Sequence, residues 1–162
     1  MRSTRAKKIR KVIGVISDTH GLLRPEAIKA LWGVDLILHA GDVGTAEVLS
    51  RLKATAPLIA VRGNNDKGPW AAKLPCFKVK KVGDVKLYLI HDVKELNLNP
   101  AEGGLRVVIS GHSHKPSVEE RDGILYLNPG SAGPRRFRLP VSLARLTVDG
   151  KTVKAELVKL SD

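Results

Sequence analysis

Apolar residues in this chain come in short β-branched runs, separated by turns rich in Gly, Asp, Asn and His. Lys11–Ser17 (KVIGVIS), Leu36–Ala40 (LILHA) and Leu58–Val61 read as three buried strands. Between the first two, Pro25–Trp32 predicts a short helix with proline in its first turn. A second helix is predicted from Thr45, as its cap, to about Lys53, with Val48, Leu49 and Leu52 as the apolar face. Strands and helices alternating in this way place neighbouring strands parallel, joined by right-handed crossovers.

After Pro75 the pattern changes. Phe77–Val82 alternates and Gly83-Asp84 turns it into Val85–Ile90, a hairpin whose solvent face would carry Lys78 and Lys80. Asn97–Gly104 reads as loop and Leu105–Ser110 as a buried strand. Asp122-Gly123 and Asp149-Gly150 mark two further hairpins, Val118–Arg121 with Ile124–Leu127 and Val141–Val148 with Thr152–Leu160. The first half is therefore α/β and the second mostly antiparallel β, without repeats or an internal linker.

Composition adds the partners and the compartment. The 162 residues are 43% hydrophobic and 27% charged, which excludes disordered and fibrous classes. No apolar run approaches the roughly 18–20 residues of a membrane helix. The basic N-terminus lacks the apolar stretch of a secretory signal. Cys76 is the only cysteine, which rules out an internal disulfide and fits a reducing, cytoplasmic setting. The formal net charge is +12. Residues 1–11 hold six Lys or Arg and no acid, and read as a flexible basic arm before a single domain over residues 12–162. Such an arm keeps a protein soluble as a solvated terminus; its alternative use is to bind nucleic acid or another anionic surface. A second basic cluster is Arg135, Arg136 and Arg138 around Phe137. With six aromatic residues in the whole chain, an extended base-stacking platform is not expected.

The candidate chemistry follows the strands. The first runs into Asp18-Thr19-His20-Gly21, the second into Gly41-Asp42 and the third into Gly63-Asn64-Asn65-Asp66. Val85–Ile90 ends in His91-Asp92, and Leu105–Ser110 in Gly111-His112-Ser113-His114. Asp18, Asp42, Asn64, His91 and His112 are spaced by 24, 22, 27 and 21 positions, each about one strand plus its return connection. Parallel strands deliver such loops to one edge of a sheet, where open α/β sheets bind ligands. Oxygen and imidazole donors without thiolate suit manganese, zinc or iron. Seven candidates (Asp18, His20, Asp42, Asn64, His91, His112 and His114) exceed the needs of one tetrahedral ion and suit two ions sharing a carboxylate. Two ions about 3.5–4 Å apart clamp a phosphoryl group and turn water into hydroxide near neutral pH. His39, inside an apolar strand, reads as a packing or ligand-supporting residue. Cys76 reads as a small packing residue, and Asp66 as either a ligand-orienting or a turn-stabilising carboxylate.

In this order, Asp-x-His, Gly-Asp, Gly-Asn-x-Asp, a strand-end His and Gly-His-x-His resemble the calcineurin-like metallophosphoesterases. The size and Asn128-Pro129-Gly130-Ser131 resemble the small YfcE-type phosphodiesterase branch, which is also similar to the retromer subunit vacuolar protein sorting 29. The resemblance spans roughly Val12 to Leu146. It implies an α/β fold of two packed mixed sheets flanked by helices, a four-layer sandwich. It further implies one ion on Asp18, His20, Asp42 and His114, and a second on Asp42, Asn64, His91 and His112, with Asp42 bridging and the second set at the centre of catalysis. Two divalent ions are implied, manganese first, with zinc, iron or nickel as alternatives. A metal-bridging hydroxide would attack phosphorus in line with the leaving oxygen.

Two positions depart from the pattern. Many relatives carry His at the position of Asn65, where it protonates the leaving group; an amide donates a hydrogen bond but is no general acid. Asp92 stands where Gly is common, so an extra carboxylate either repels anionic substrate or binds a supporting histidine. The expected activity is hydrolysis of a small phosphoester, diester by resemblance. The competing readings are a protein-interaction scaffold like the retromer subunit, and a nucleic-acid-associated phosphoesterase using the basic arm. The sequence leaves substrate, metal and oligomeric state open, a dimer or larger assembly included.

Overall fold

The structure is a computed structural model and describes residues 10–160. Of the expected basic arm, residues 1–9 lie outside the described residues, and Arg10 and Lys11 already belong to the first strand. The chain begins β1 (Arg10–Ile16), α1 (Pro25–Leu31), β2 (Leu36–His39), α2 (Ala46–Thr55), β3 (Leu58–Ala60) and a single-turn α3 (Pro69–Ala72). It continues β4 (Phe77–Val82), β5 (Val85–Ile90), a 3-10 turn at Val93–Glu95, β6 (Val107–Ile109), β7 (Ser117–Arg121), β8 (Ile124–Asn128), β9 (Ser142–Asp149) and β10 (Thr152–Lys159).

Two five-stranded mixed sheets result, ordered β10-β9-β1-β2-β3 and β4-β5-β6-β8-β7. Alternation along β1 explains how they pack. Ile13 and Val15 face the second sheet, in a core with Leu87, Leu89, Val107, Ile109, Leu125 and Leu127. Val12 and Ile16 face the other way, into a layer with Leu31 of α1 and Val48 and Leu52 of α2. A strand buried on both faces reads as a continuous apolar run, as β1 does. The outer face of the second sheet packs Tyr88, Ile90, Val108 and Ile124 under Leu96 and Leu105. That layer is formed by the segment around the 3-10 turn.

The hairpins expected after Pro75 are present as antiparallel pairs. The centre of the second sheet, however, is parallel: β5 pairs with β6 and β6 with β8. Its strands β5, β6 and β8 therefore end on one edge, just as β1, β2 and β3 do in the first sheet. Two smaller differences have local causes. Thr45 sits at the N-cap of α2 in extended backbone, but its side chain makes no capping hydrogen bond. Lys78 and Lys80 do share a face of β4, yet Phe77 and Val79 opposite them are exposed as well, because β4 is an edge strand. No helix among the described residues is long and apolar enough to cross a membrane.

Candidate metal centre

The loops after β1, β2 and β6 turn sharply at the positions where the chemistry lies. Among the described residues, Asp18, His20, Asp42, His112 and His114 adopt left-handed backbone, with φ of 55°, 46°, 56°, 70° and 64°. Only Asp122 and Phe137 join them among non-glycine residues. Such conformations cost about 1 kcal/mol or more each and persist where the surroundings over-determine them. Here they aim side chains from different loops at one point.

Asp18 is fully buried at that point. Its Oδ2 accepts the Ser17 hydroxyl at 2.7 Å and the His112 amide at 3.1 Å. Its Oδ1 has no hydrogen-bond partner, and neither do His20 Nε2 and His114 Nδ1. Around Oδ1 stand His114 Nε2 at 3.4 Å, His20 Nε2 at 3.7 Å and His91 Nε2 at 4.0 Å. Asp42 Oδ2 lies 3.3 Å from His91 Nε2 and 3.7 Å from His20 Nε2. Two overlapping groups could hold an ion: Asp18 with His20 and His114, and Asp18 with Asp42 and His91. Donor atoms each about 2.1 Å from one ion stand roughly 3.0–3.4 Å apart. The observed separations approach that spacing, and a buried orphan carboxylate oxygen is what a cation satisfies, so these residues fit a metal.

The remaining candidates lie at the rim. His112 Nδ1 is 3.3 Å from His91 Nε2, and its Nε2 is 3.8 Å from Asp92 Oδ2. Asn64 is exposed and lines a cleft of about 310 Å³ with Arg62, Cys76, His91, Asp92, Glu95 and His112. Asn65, rather than Asn64, contacts Asp42: its N–H donates to Oδ1 at 2.8 Å and its side-chain amide to Oδ2 at 3.0 Å. Asp92 caps the 3-10 turn by accepting the Lys94 amide. Cys76 is exposed, not packed, and receives the Arg62 guanidinium at 3.6 Å.

A supporting shell fixes these donors. His91 Nδ1–H donates to the Ala40 carbonyl at 2.8 Å, which leaves Nε2 to face the carboxylates. Asp66 gathers three backbone amides, those of Gly63, Val43 and Gly44, and so ties the loop after β3 to the loop after β2. His39 accepts the Gly41 amide on Nδ1; its Nε2–H then donates to Thr19, whose hydroxyl donates to the Val43 carbonyl. Asn128 donates to the Gly111 carbonyl and the Ser113 hydroxyl, while the Ser131 hydroxyl donates to the Asp18 carbonyl. Ser17, Thr19, Asn128 and Ser131 carry no metal-ligand pattern, so their roles emerge only from the packing.

Ionisation follows from the same contacts. Burial raises the Asp18 carboxyl, but the His20 imidazole, the Ser17 hydroxyl and the charges of His91 and His114 outweigh it and hold it below the usual range. Asp42 is likewise held low: burial is overcome by His91 and the Asn65 donors. At His91 burial opposes the charge, yet Asp42 and Asp18 raise its pKa. Burial lowers that of His114, as does the charge of Arg136. Burial pushes His39 down to about 4, so it is neutral in the folded protein.

Comparison with known proteins places this arrangement. A protein named "Probable metallophosphoesterase" from Methanothermobacter thermautotrophicus is 36% identical over 160 residues, covering 91% of this chain and 92% of its own length. A phosphodiesterase of Methanocaldococcus jannaschii is 31% identical, over 73% of this chain and 82% of its own. Vacuolar protein sorting 29 from Cryptosporidium parvum shares the fold, with a TM-score of 0.81 at 22% identity over 94% of this chain and 93% of that one. The model of the calcineurin-like phosphoesterase superfamily domain matches residues 12–151, which takes in every strand-end loop described above. By that match the chain belongs to the calcineurin-like phosphoesterase superfamily.

Proposed function

We propose that the chain is a divalent-metal-dependent phosphodiesterase built on a dinuclear centre. The reading is carried by the convergence of Asp18, His20, Asp42, His91 and His114, at donor separations of 3.3–4.0 Å, around a buried carboxylate oxygen without a hydrogen-bond partner. Asp18, His20, Asp42 and His114 would hold one ion, and Asp42, Asn64, His91 and His112 the other. Manganese is the first choice, with zinc, iron and nickel also suited to these donors. Two such ions supply Lewis acidity that polarises phosphoryl oxygens and brings the pKa of water toward neutrality.

The chain's own residues bind and orient. Asn65 clamps both oxygens of Asp42, and the Ala40 carbonyl fixes the His91 ring. The cleft beside His91 and His112 leaves room for an ester group, and Arg62 gives it a permanent positive charge. Asp92 at its wall disfavours a dianionic monoester relative to a singly charged diester. The Methanocaldococcus relative named as a phosphodiesterase supports the same preference. Asn65 has no acidic proton to give, so leaving groups that need little protonation are favoured. The domain is taken from Arg10, the first residue of β1, with the basic arm confined to residues 1–9. Its single, exposed cysteine accords with a cytoplasmic setting.

The test is hydrolysis of bis(p-nitrophenyl) phosphate with manganese, with and without chelator, alongside metal analysis of the purified protein. Chelator-sensitive turnover that Asp42→Ala abolishes is the expected result. No turnover with any of the four metals would overturn the proposal and favour a protein scaffold.

A further inference from the structure

The turn carrying Arg135, Arg136, Phe137 and Arg138 is tied directly to the metal-centre loops. Its root runs along the end of β1: the Ala132 amide donates to the Ser17 carbonyl at 3.0 Å, and the Ser131 hydroxyl to the Asp18 carbonyl at 3.1 Å. Gly133 is pressed against the same loop, since a Cβ there would lie 2.2 Å from the Thr19 carbonyl oxygen. Arg24 holds the Gly133 carbonyl with two donors, at 3.1 and 3.2 Å. Beyond this root the turn closes on itself. The Leu139 amide donates to the Arg136 carbonyl at 3.1 Å, and Arg135 Nε to the Leu139 carbonyl at 3.2 Å. Pro134 and Pro140 restrict both stems.

The turn's tip is unusual on two counts. Phe137 has φ of 54° and is 91% exposed, the most exposed large hydrophobic among the described residues. A bulky side chain in left-handed backbone, held out in water, gains nothing for the fold. It is flanked by three arginines, and no carboxylate occurs between Asp122 and Asp149. The charge of Arg136 reaches His114 of the metal centre. An aromatic face bordered by guanidinium groups is the chemistry that stacks a nucleobase and contacts the phosphates beside it. A single aromatic suits one base, in keeping with a chain too poor in aromatics for a platform.

We propose that the Arg135–Arg138 turn is a subsite for the nucleoside part of a nucleotidyl phosphodiester, with Phe137 stacking the base and Arg136 and Arg138 flanking it, placed to hold the phosphates of a longer nucleotide beyond the scissile one. This deepens the phosphodiesterase reading and rests on it for turnover, though not for binding. The test compares two esters with one leaving group, p-nitrophenyl thymidine 5′-phosphate and methyl p-nitrophenyl phosphate, using the full chain with manganese. Phe137→Ala should lower the nucleotidyl-to-methyl ratio of kcat/KM about ten-fold, mainly through KM, whereas Arg136→Gln with Arg138→Gln is read by binding, because both esters carry only the scissile phosphate. Trp32→Ala, an exposed aromatic outside this turn, should leave the ratio as it is. An unchanged ratio in Phe137→Ala overturns the subsite.

A second measurement does not need turnover. Fluorescence anisotropy of a labelled single-stranded hexanucleotide and of a labelled dinucleotide, in chelator, should show weaker binding in the turn variants. For the double arginine variant the hexanucleotide's dependence on log salt should also flatten by about one unit per arginine removed. A preference for the hexanucleotide points to a nucleic-acid end, and equal binding to a small nucleotidyl ester; either supports the subsite. Equal affinity of wild type and variants overturns it. If wild type hydrolyses neither ester, the phosphodiesterase reading fails while the anisotropy still decides the turn.

Discussion

Asn65 shows how a substitution within a recognised pattern changes a site. Both of its donors are committed to Asp42, so it acts as a positioning residue for the carboxylate shared between the two proposed ions. Asn65→Ala should weaken metal affinity about 10- to 100-fold, read by competition with a chelating dye, while the fold persists. The wild type should hydrolyse aryl diesters far faster than alkyl diesters; comparable rates would refute an amide in place of an acid. His39 gives a stability signal instead. Its pKa in the fold is about 4 against 6.5 unfolded, so on acidification the unfolded chain takes up that proton first. Its contribution is complete above pH 6.5 and is lost as the pH falls toward 4, by up to about 3 kcal/mol. Urea titrations across that window should show the fall, and His39→Asn, which keeps an acceptor for the Gly41 amide, should flatten it.

At the scale of elements, the glycines that end strands allow one loop to approach another. A Cβ on Gly63 would lie 2.2 Å from the backbone nitrogen and from Oδ1 of Asp42, and one on Gly111 would lie 2.0 Å from Ser17 Oγ. Gly63→Ala should therefore displace the loop after β2 and reduce metal-dependent turnover by at least about ten-fold; a loss of about 1–3 kcal/mol in stability would accompany it. Retained turnover with intact metal content would show that the loops tolerate separation. The edge strand β4 illustrates another device. Lys78, Lys80 and Lys81 place charge along a strand whose Phe77 and Val79 are exposed, which opposes pairing with a second sheet. Replacing the three lysines by threonine should promote aggregation, seen as rising light scattering on concentration.

For the whole molecule, loops from both sheets meet at one cluster, so ions bound there would join the sheets. Removing metal from protein held at about 100 times Kd should cost about 2.7 kcal/mol and lower the melting temperature by about 5–10 °C. An unchanged melting temperature would mean that the loops are held without ions. The chain alone determined much of this: the strands, the two helices, the hairpins and the residues after each strand are all legible because burial periodicity and turn chemistry are local. The parallel centre of the second sheet was not legible, since pairing between β5, β6 and β8 depends on contacts far apart in sequence. Nor was the difference between Asn64 and Asn65, adjacent and chemically identical, of which only one reaches Asp42. Asn128 and Ser131 stood out in the sequence only by resemblance, and their task, hydrogen bonds to the Gly111 and Asp18 carbonyls, came from the fold. Residue types fix which chemistry is available, whereas direction and distance are settled only when loops as far apart in the chain as Asp18 and Ser131 are packed together, because each takes its conformation partly from the others' hydrogen bonds.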